Sequence, residues 1–270
     1  MEFIFDYKLF KNGPILVIGA SDSGKTTFCN ILFNHLKNRK NLSLIDLDLG
    51  QNQIGIPSTQ TLLIENEKIN FFVGSFSPLG NFLDYIVGAK KLYDLSIKNG
   101  YETSIIDTSG FVLEKYGAKS LLHSLFEILN PYIVIALEKE NELENILSPY
   151  EKSKRFIIKR LKVSKEAKIK SKSFRKNIKI EKIKNLFINS EFNNIDIKNY
   201  GIIGKYPVVK NQLISFLDNR GFSKAFGIIK EIKNDILNLK VTNGWKESKM
   251  IKTSEIILDE NYHYKFLKSI

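Results

Sequence analysis

A single cysteine, Cys29, and a single tryptophan, Trp245, stand among 270 residues. One thiol excludes an internal disulfide framework and a zinc site built from cysteines. Cys29 reads as a small core residue, and Trp245 gives no functional hint. Long apolar runs are also missing. Stretches such as residues 132–137 fall far below the roughly 20 residues that a bilayer-spanning helix needs. The first residues, Met1-Glu2-Phe3-Ile4-Phe5-Asp6, carry neither the basic region nor the cleavage site of a secretory signal. Hydrophobic residues make up 43% and charged residues 26%, which excludes disordered, collagen-like and low-complexity classes. The expectation is a soluble protein of a reducing cytoplasm with no membrane partner.

What is present in excess is positive charge, and it is concentrated. The net charge is +12. Residues 151–184 hold 15 Lys/Arg against 3 Asp/Glu, so the rest of the chain, with 26 of each sign, is neutral. Such a local excess suits a polyanion, because each neutralised phosphate releases counterions. It equally suits a solvated helix face.

Along the first half, short apolar runs alternate with helical spacing. Strands are expected at 15–18, 42–49, 69–73, 103–106 and 132–137. Helices are expected from Thr26 through Leu36 (with Phe28, Ile31, Leu32 and Leu36 apolar), over 82–98 and over 118–129. This alternation implies a parallel sheet covered on both faces, with ligands beyond the carboxyl ends of its strands. Residues 189–199 read as a polar linker. Beyond it, short strand-like runs at 201–209, 212–217, 225–232, 237–241 and 249–258, with a hairpin loop at 218–221, suggest a small β-rich module.

Gly19-Ala20-Ser21-Asp22-Ser23-Gly24-Lys25-Thr26 matches G-x-x-x-x-G-K-[ST] in full, after an apolar strand and before an amphipathic helix. The glycines let backbone N–H groups wrap phosphate oxygens, and the helix N-terminus adds its dipole. Lys25 would reach the β- and γ-phosphates, and the Thr26 hydroxyl is a hard oxygen ligand for Mg²⁺. Two acidic features follow. Asp46-Leu47-Asp48-Leu49-Gly50-Gln51 puts two carboxylates on one face at a strand end, where one could take a proton from an acceptor hydroxyl, hold Mg²⁺ through water, or merely cap a turn. Ser104-Ile105-Ile106-Asp107 has the form of a strand whose final Asp107 supports Mg²⁺.

Taken in order, these segments resemble the polynucleotide 5′-hydroxyl kinases, the P-loop RNA 5′-kinases of pre-mRNA 3′-end processing, tRNA splicing and pre-rRNA processing. Gly19-x-x-Asp22-x-Gly24-Lys25-Thr26-Thr27 resembles the family's phosphate loop. Asp48-Leu49-Gly50-Gln51 with Ile56-Pro57-Ser58-Thr59 resembles its D-x-G-Q and I-P-G-T segments, and Gly74-Ser75-Phe76-Ser77-Pro78 its G-x-x-S-P segment. Thr108-Ser109-Gly110-Phe111 is similar to its T-x-G-W clasp. Lys170-Ser171-Lys172-Ser173-Phe174-Arg175 falls where the family has an arginine-bearing lid, and residues 212–232 resemble its C-terminal β module.

The resemblance implies ATP held by the loop residues 19–27 and Mg²⁺ held by Thr26, Asp48 and Asp107. It implies Asp48 as base for the 5′-hydroxyl, with Lys25 and Arg175 acting on the transferring phosphoryl group. Gln51, Thr108, Gly110, Phe111 and Lys170 would bind the acceptor, the 5′-hydroxyl end of single-stranded RNA or of DNA. Two positions depart from the pattern. Phe111 replaces a tryptophan and offers a smaller stacking face. Lys170 replaces the first lid arginine and loses its bidentate fork. No N-terminal β domain of the eukaryotic kind fits before Ile15. The implied organisation is a P-loop α/β kinase domain over residues 1–200, including the basic lid at 151–184, and a β-rich module over 201–270. An ATP-binding scaffold in RNA processing and an NTPase switch acting on a protein are the alternatives; no protein partner is indicated.

Overall fold

The computed structural model describes residues 13–37, 41–164 and 167–267. The N-terminal residues 1–6 read for targeting, and positions 165–166 of the basic run, lie outside the described residues. The chain divides into two compact units. The first comprises Met1–Asp48, Thr61–Lys68 and Ser77–Lys170; the second comprises Leu49–Gln60, Ile69–Phe76 and Ser171–Ile270.

In chain order the strands and helices begin with β1 (Gly13–Gly19), α1 (Lys25–Leu36), β2 (Leu42–Asp46), β3 (Thr59–Ile64) and β4 (Glu67–Phe72). They continue with α2 (Phe82–Lys98), β5 (Thr103–Asp107), α3 (Ala118–Leu129), β6 (Ile133–Glu138), α4 (Glu144–Ser153) and β7 (Ile157–Lys162). In the first unit the sheet order is β7-β6-β1-β5-β2-β3. All neighbours are parallel except β3, which runs antiparallel to β2. The central strands are buried along their length because both faces are covered: Ile15, Leu16, Val17 and Ile18 of β1 are wholly buried. Helix α1 buries Lys25, Phe28, Cys29, Leu32 and Leu36. That stripe leaves Ile31, expected on the apolar face, 49% exposed.

Three elements of this unit were not anticipated: strand β3, helix α4 and strand β7. Helix α4 contains Pro149, which removes one intrahelical donor and masks the helical pattern. Strand β7 lies inside the basic run and forms the sheet edge, where lysines discourage further pairing. Part of the run's charge is neutralised in place here. Arg160 on β7 donates to Glu138, Glu144 and Glu151, each at 2.8 Å.

The second unit contains α5 (Lys172–Leu186), β8 (Glu191–Asp196), β9 (Gly201–Ile203), β10 (Leu213–Leu217), β11 (Ser223–Lys233), β12 (Ile236–Val241), β13 (Met250–Lys252), β14 (Ile256–Leu258) and β15 (Tyr264–Phe266). Antiparallel pairs β10–β11, β11–β12 and β10–β13 form its centre, with β9 parallel to β13. The expected hairpin loop joins β10 to β11: Asp218 Oδ1 accepts from the N–H groups of Arg220 and Phe222, both at 2.9 Å. Residues 189–199 are not a linker. They supply β8, antiparallel to β12 along its whole length, and the buried Ile195 joins the core of Ile214, Phe216, Leu237 and Leu239. In the second half of the chain the division between units accordingly falls at Lys170/Ser171, not near residue 200, because α5 buries Ile180 and Ile183 and β8 pairs within the second unit; Leu49–Gln60 and Ile69–Phe76, expected in the first domain, also belong to the second unit. Among the described residues, no helix is long and apolar enough to cross a membrane.

Candidate functional site

The carboxyl ends of β1, β2 and β5 bring together most of the residues singled out above. Strand β1 ends at Gly19, whose φ of 156° lies in the positive range that residues with a side chain rarely adopt. A Cβ there would lie 2.4 Å from the Leu137 carbonyl oxygen and 2.7 Å from Ser23 Oγ, so only glycine lets the loop leave the sheet. Gly24, at φ 88°, turns the chain into α1. That helix starts with no acidic residue in its first turn and no side-chain cap on its amides. Those amides and the helix dipole suit an anion.

Lys25 is buried, and its Nζ donates to the Ala20 carbonyl across the loop at 2.8 Å. Thr26 Oγ1 donates to Asp107 Oδ2 at 2.6 Å. The other Asp107 oxygen, Oδ1, is buried with no hydrogen-bond partner. Burial pushes the Asp107 carboxyl up to about 7. The Lys25 ammonium and the Thr26 hydroxyl oppose that rise, and the Asp48 charge adds to it. A hydroxyl oxygen and an under-satisfied carboxylate oxygen beside an anion-binding loop form a hard-oxygen donor set of the kind Mg²⁺ takes. Among the described residues no group of three or more His, Cys, Asp or Glu gathers as a metal cage. Mg²⁺ needs none, since phosphates and water complete its shell.

The two acids after β2 have separate roles. Asp46 ends the strand, is buried, and its Oδ1 accepts from the Asp48 N–H at 2.9 Å. Its carboxylate therefore holds the turn, while the Leu47 N–H donates to the Asp107 carbonyl at 2.8 Å and ties β2 to β5. Asp48 is half-buried and close enough to Asp107 to raise its pKa. Cys29, behind the loop, is buried, and burial with the Asp107 and Asp46 charges pushes its thiol well up, as expected of an inert core residue.

Residues 108–111 are built onto the phosphate loop. Thr108 is buried, and both its N–H (3.2 Å) and its Oγ1 (2.9 Å) donate to the Val17 carbonyl, so its side chain anchors the segment to β1. The Ser109 N–H donates to Tyr85 Oη at 3.1 Å. Gly110 lies directly against the loop: a Cβ at this position would be 2.6 Å from Ser21 N and 2.7 Å from Ser21 Cα. Phe111 is half-buried and meets the Phe82 ring edge-on, with centroids 5.7 Å apart. The Lys170 N–H donates to Asp22 Oδ2 at 3.1 Å, which ties the end of the first unit to the loop. Gln51 and Arg175 belong to the second unit. Gln51 lies in a loop braced by buried Asn52, whose Nδ2 donates to the Thr59 carbonyl at 2.9 Å. Arg175 sits in the first turn of α5, which Ser171 caps by accepting from the Phe174 N–H at 3.1 Å.

Tyr85 is the site residue that sequence reasoning missed. In sequence it is one more apolar position of α2, and only the fold brings its hydroxyl to Ser109. Gly110 also yields a test. Gly110→Ala must displace Ser21 backbone, an overpacking cost of about 1–3 kcal/mol. Nucleotide affinity is expected to fall by roughly tenfold or more, read by isothermal titration, with the helical circular dichroism retained. An unchanged affinity would show that the loop yields freely.

Comparison with known proteins agrees with this architecture. The family model for the mRNA cleavage and polyadenylation factor CLP1 P-loop matches residues 19–189. A polyribonucleotide 5′-hydroxyl-kinase of Methanocaldococcus jannaschii is 35% identical over 247 residues, covering 83% of this chain and 67% of that protein. One of Pyrococcus abyssi is 33% identical over 208 residues, covering 73% of this chain and 56% of that protein. The chain thus spans about two thirds of the first relative and little more than half of the second. The structure of a wild-type Clp1p–Pcf11p complex matches with a TM-score of 0.71 at 15% identity, covering 91% of this chain and 75% of that one, and shows the fold. With a full phosphate loop, a carboxylate bonded to its threonine and a family match over most of its length, this chain belongs to the CLP1 P-loop family.

Proposed function

We propose that the protein is an ATP-dependent polynucleotide 5′-hydroxyl kinase that transfers the γ-phosphoryl group of ATP to the 5′ end of single-stranded RNA, with DNA as a further acceptor. The observation that carries this reading is the seating of Gly110 on Ser21. It joins the 108–111 segment to the phosphate loop, so that an acceptor held there would be presented to the bound nucleotide. The names of the archaeal relatives support the same chemistry.

Each residue then has a task. The loop amides from Gly19 to Thr27 cradle the phosphates, and Lys25 exchanges its bond with Ala20 for the β- and γ-oxygens. Thr26, Asp107 and Asp48 would hold Mg²⁺, which when bound would supply charge neutralisation at the phosphates. Asp48 accepts the proton of the 5′-hydroxyl. Gln51 orients the acceptor. Arg175, a planar always-charged donor, acts on the charge that grows on the transferring group, with Lys170 as a weaker point charge. Phosphoryl transfer needs little covalent help, so positioning and electrostatics suffice.

Labelled γ-phosphate ATP with 5′-hydroxyl oligonucleotides of both sugars tests the reading. Label on RNA is expected. ATP retained without turnover would turn the reading to a scaffold. Free phosphate released with no label on nucleic acid would turn it to an NTPase switch. Within the kinase reading, Phe111 supplies the stacking face for the terminal base. Stacking is worth roughly 1–3 kcal/mol per base, so Phe111→Ala is expected to raise the acceptor KM by roughly tenfold and leave the KM for ATP nearly unchanged. An unchanged acceptor KM would move the stacking contact elsewhere.

A further inference from the structure

Helix α5 carries cations at Lys172, Arg175, Lys176 and Lys179, spaced i, i+3, i+4, i+7, so they share one face. The helix contains one acid, Glu181, and buries its Ile180 and Ile183. Above part of this cationic face lie aromatic rings of the same unit. Tyr264 and Phe266 stand two residues apart on β15 and so project to one side. The Phe76 ring is 4.7 Å from that of Tyr264 at 73° and 5.9 Å from that of Phe266 at 74°, while Tyr264 and Phe266 are 5.6 Å apart. Lys179 Nζ stands 5.7 Å over Phe76 and 5.8 Å over Tyr264, and Lys176 Nζ stands 5.9 Å over Tyr264.

Core sealing accounts for two of these rings. Phe76 and Tyr264 pack on the cluster of Phe72, Ile183, Phe187 and Leu213. It does not account for Phe266, which leaves 49% of its surface exposed at the end of the ring series. An exposed ring is costly in water, and lysines aligned along the same surface match a ligand that alternates flat apolar faces with negative charge. A single-stranded polynucleotide has that repeat, with a base to stack and a phosphate to neutralise at each step. An acidic peptide would match the cations and leave the rings without a use.

We propose that Phe76, Tyr264 and Phe266 with Lys176 and Lys179 form a sequence-tolerant platform for the nucleotides of a single-stranded RNA, built from residues other than the 108–111 segment. The proposal deepens the kinase reading only in its choice of ligand. The platform binds by stacking and phosphate contact and takes no part in transfer.

The test reads binding, not turnover, so the two readings can fail independently. The full chain is titrated against a fluorescein-labelled, unstructured 12-nucleotide RNA bearing a 5′-phosphate, by anisotropy, over a range of salt. Phe266→Ala is expected to weaken binding by roughly tenfold, as loss of one stacked base implies, and Phe266→Trp to restore or exceed it. The pair Lys176→Gln and Lys179→Gln is expected to flatten the slope of log K against log salt by about 1.4, at ~0.7 per single-strand phosphate contact. Thermal melts of the variants exclude a folding defect. Binding and salt slope unchanged in all variants would overturn the platform. So would an oligoglutamate peptide that displaces the RNA while Phe266→Ala has no effect, which would assign the surface to an acidic protein. RNA binding that depends on Phe266 in a chain that transfers no label would leave the platform standing and remove the kinase reading.

Discussion

Lys25→Ala is expected to lower kcat for phosphoryl transfer on the order of 10³-fold or more, the loss typical of an electrostatic clamp on a transferring phosphoryl group. The ammonium is buried, rests on the Ala20 carbonyl, and is the cation of residues 19–27. Its field also holds down the pKa of Asp107, which burial otherwise drives upward. Removing it therefore acts twice: the β- and γ-oxygens lose their point charge, and the carboxylate that would support Mg²⁺ shifts further toward its neutral form. Raising ATP concentration should not restore the rate, because the lost interaction is strongest in the transition state. Single-turnover transfer from labelled ATP to a short 5′-hydroxyl RNA, at saturating nucleotide, checks this. Near-normal turnover would remove the phosphate-loop reading altogether.

The second large effect separates two neighbouring acids. Asp48→Asn is expected to reduce transfer by roughly 10²- to 10⁴-fold, the usual cost of losing a general base, while nucleotide affinity stays within a few-fold. Asp46→Asn should be mild in transfer. Asparagine keeps the Oδ1 acceptor that holds the Asp48 N–H, so the turn survives. Measuring kcat and nucleotide Kd for both variants gives the ranking, and the reverse order would mean that the proton goes to Asp46. The geometry opposes that order: Asp46 lies in the fully buried strand β2, whereas Asp48 lies beyond its end and is half-buried.

How far this arrangement could be read from the chain differs by element. The phosphate loop was fully readable because its glycines, lysine and threonine are contiguous and their spacing is itself the geometry. Helices α2 and α3 were readable to the residue because Asn99-Gly100 and Pro131 punctuate their ends. Strand β3 was not, since Thr59, Gln60 and Thr61 are polar and become buried only through their place in the fold. Strand β8 hid for a similar reason. Glu191-Phe192-Asn193-Asn194-Ile195-Asp196 has turn-like composition, and its partner β12 lies some 40 residues away. Such a strand is stabilised by long-range pairing that local pattern does not encode.

What the sequence alone determined is the chemistry available: a loop for phosphate, carboxylates at the ends of β2 and β5, and a run of cations after residue 151. What only the tertiary structure decided is how these are shared out. It made Asp46 a turn support and left Asp48 partly open. It paired Arg160 with three acids yet aligned Lys176 and Lys179 over aromatic rings. It set Gly110 against Ser21 and brought the Tyr85 hydroxyl to Ser109. The physical reason is common to all of these. Residue type and spacing act over a few positions, whereas burial, charge pairing and close backbone approach depend on segments remote in the chain.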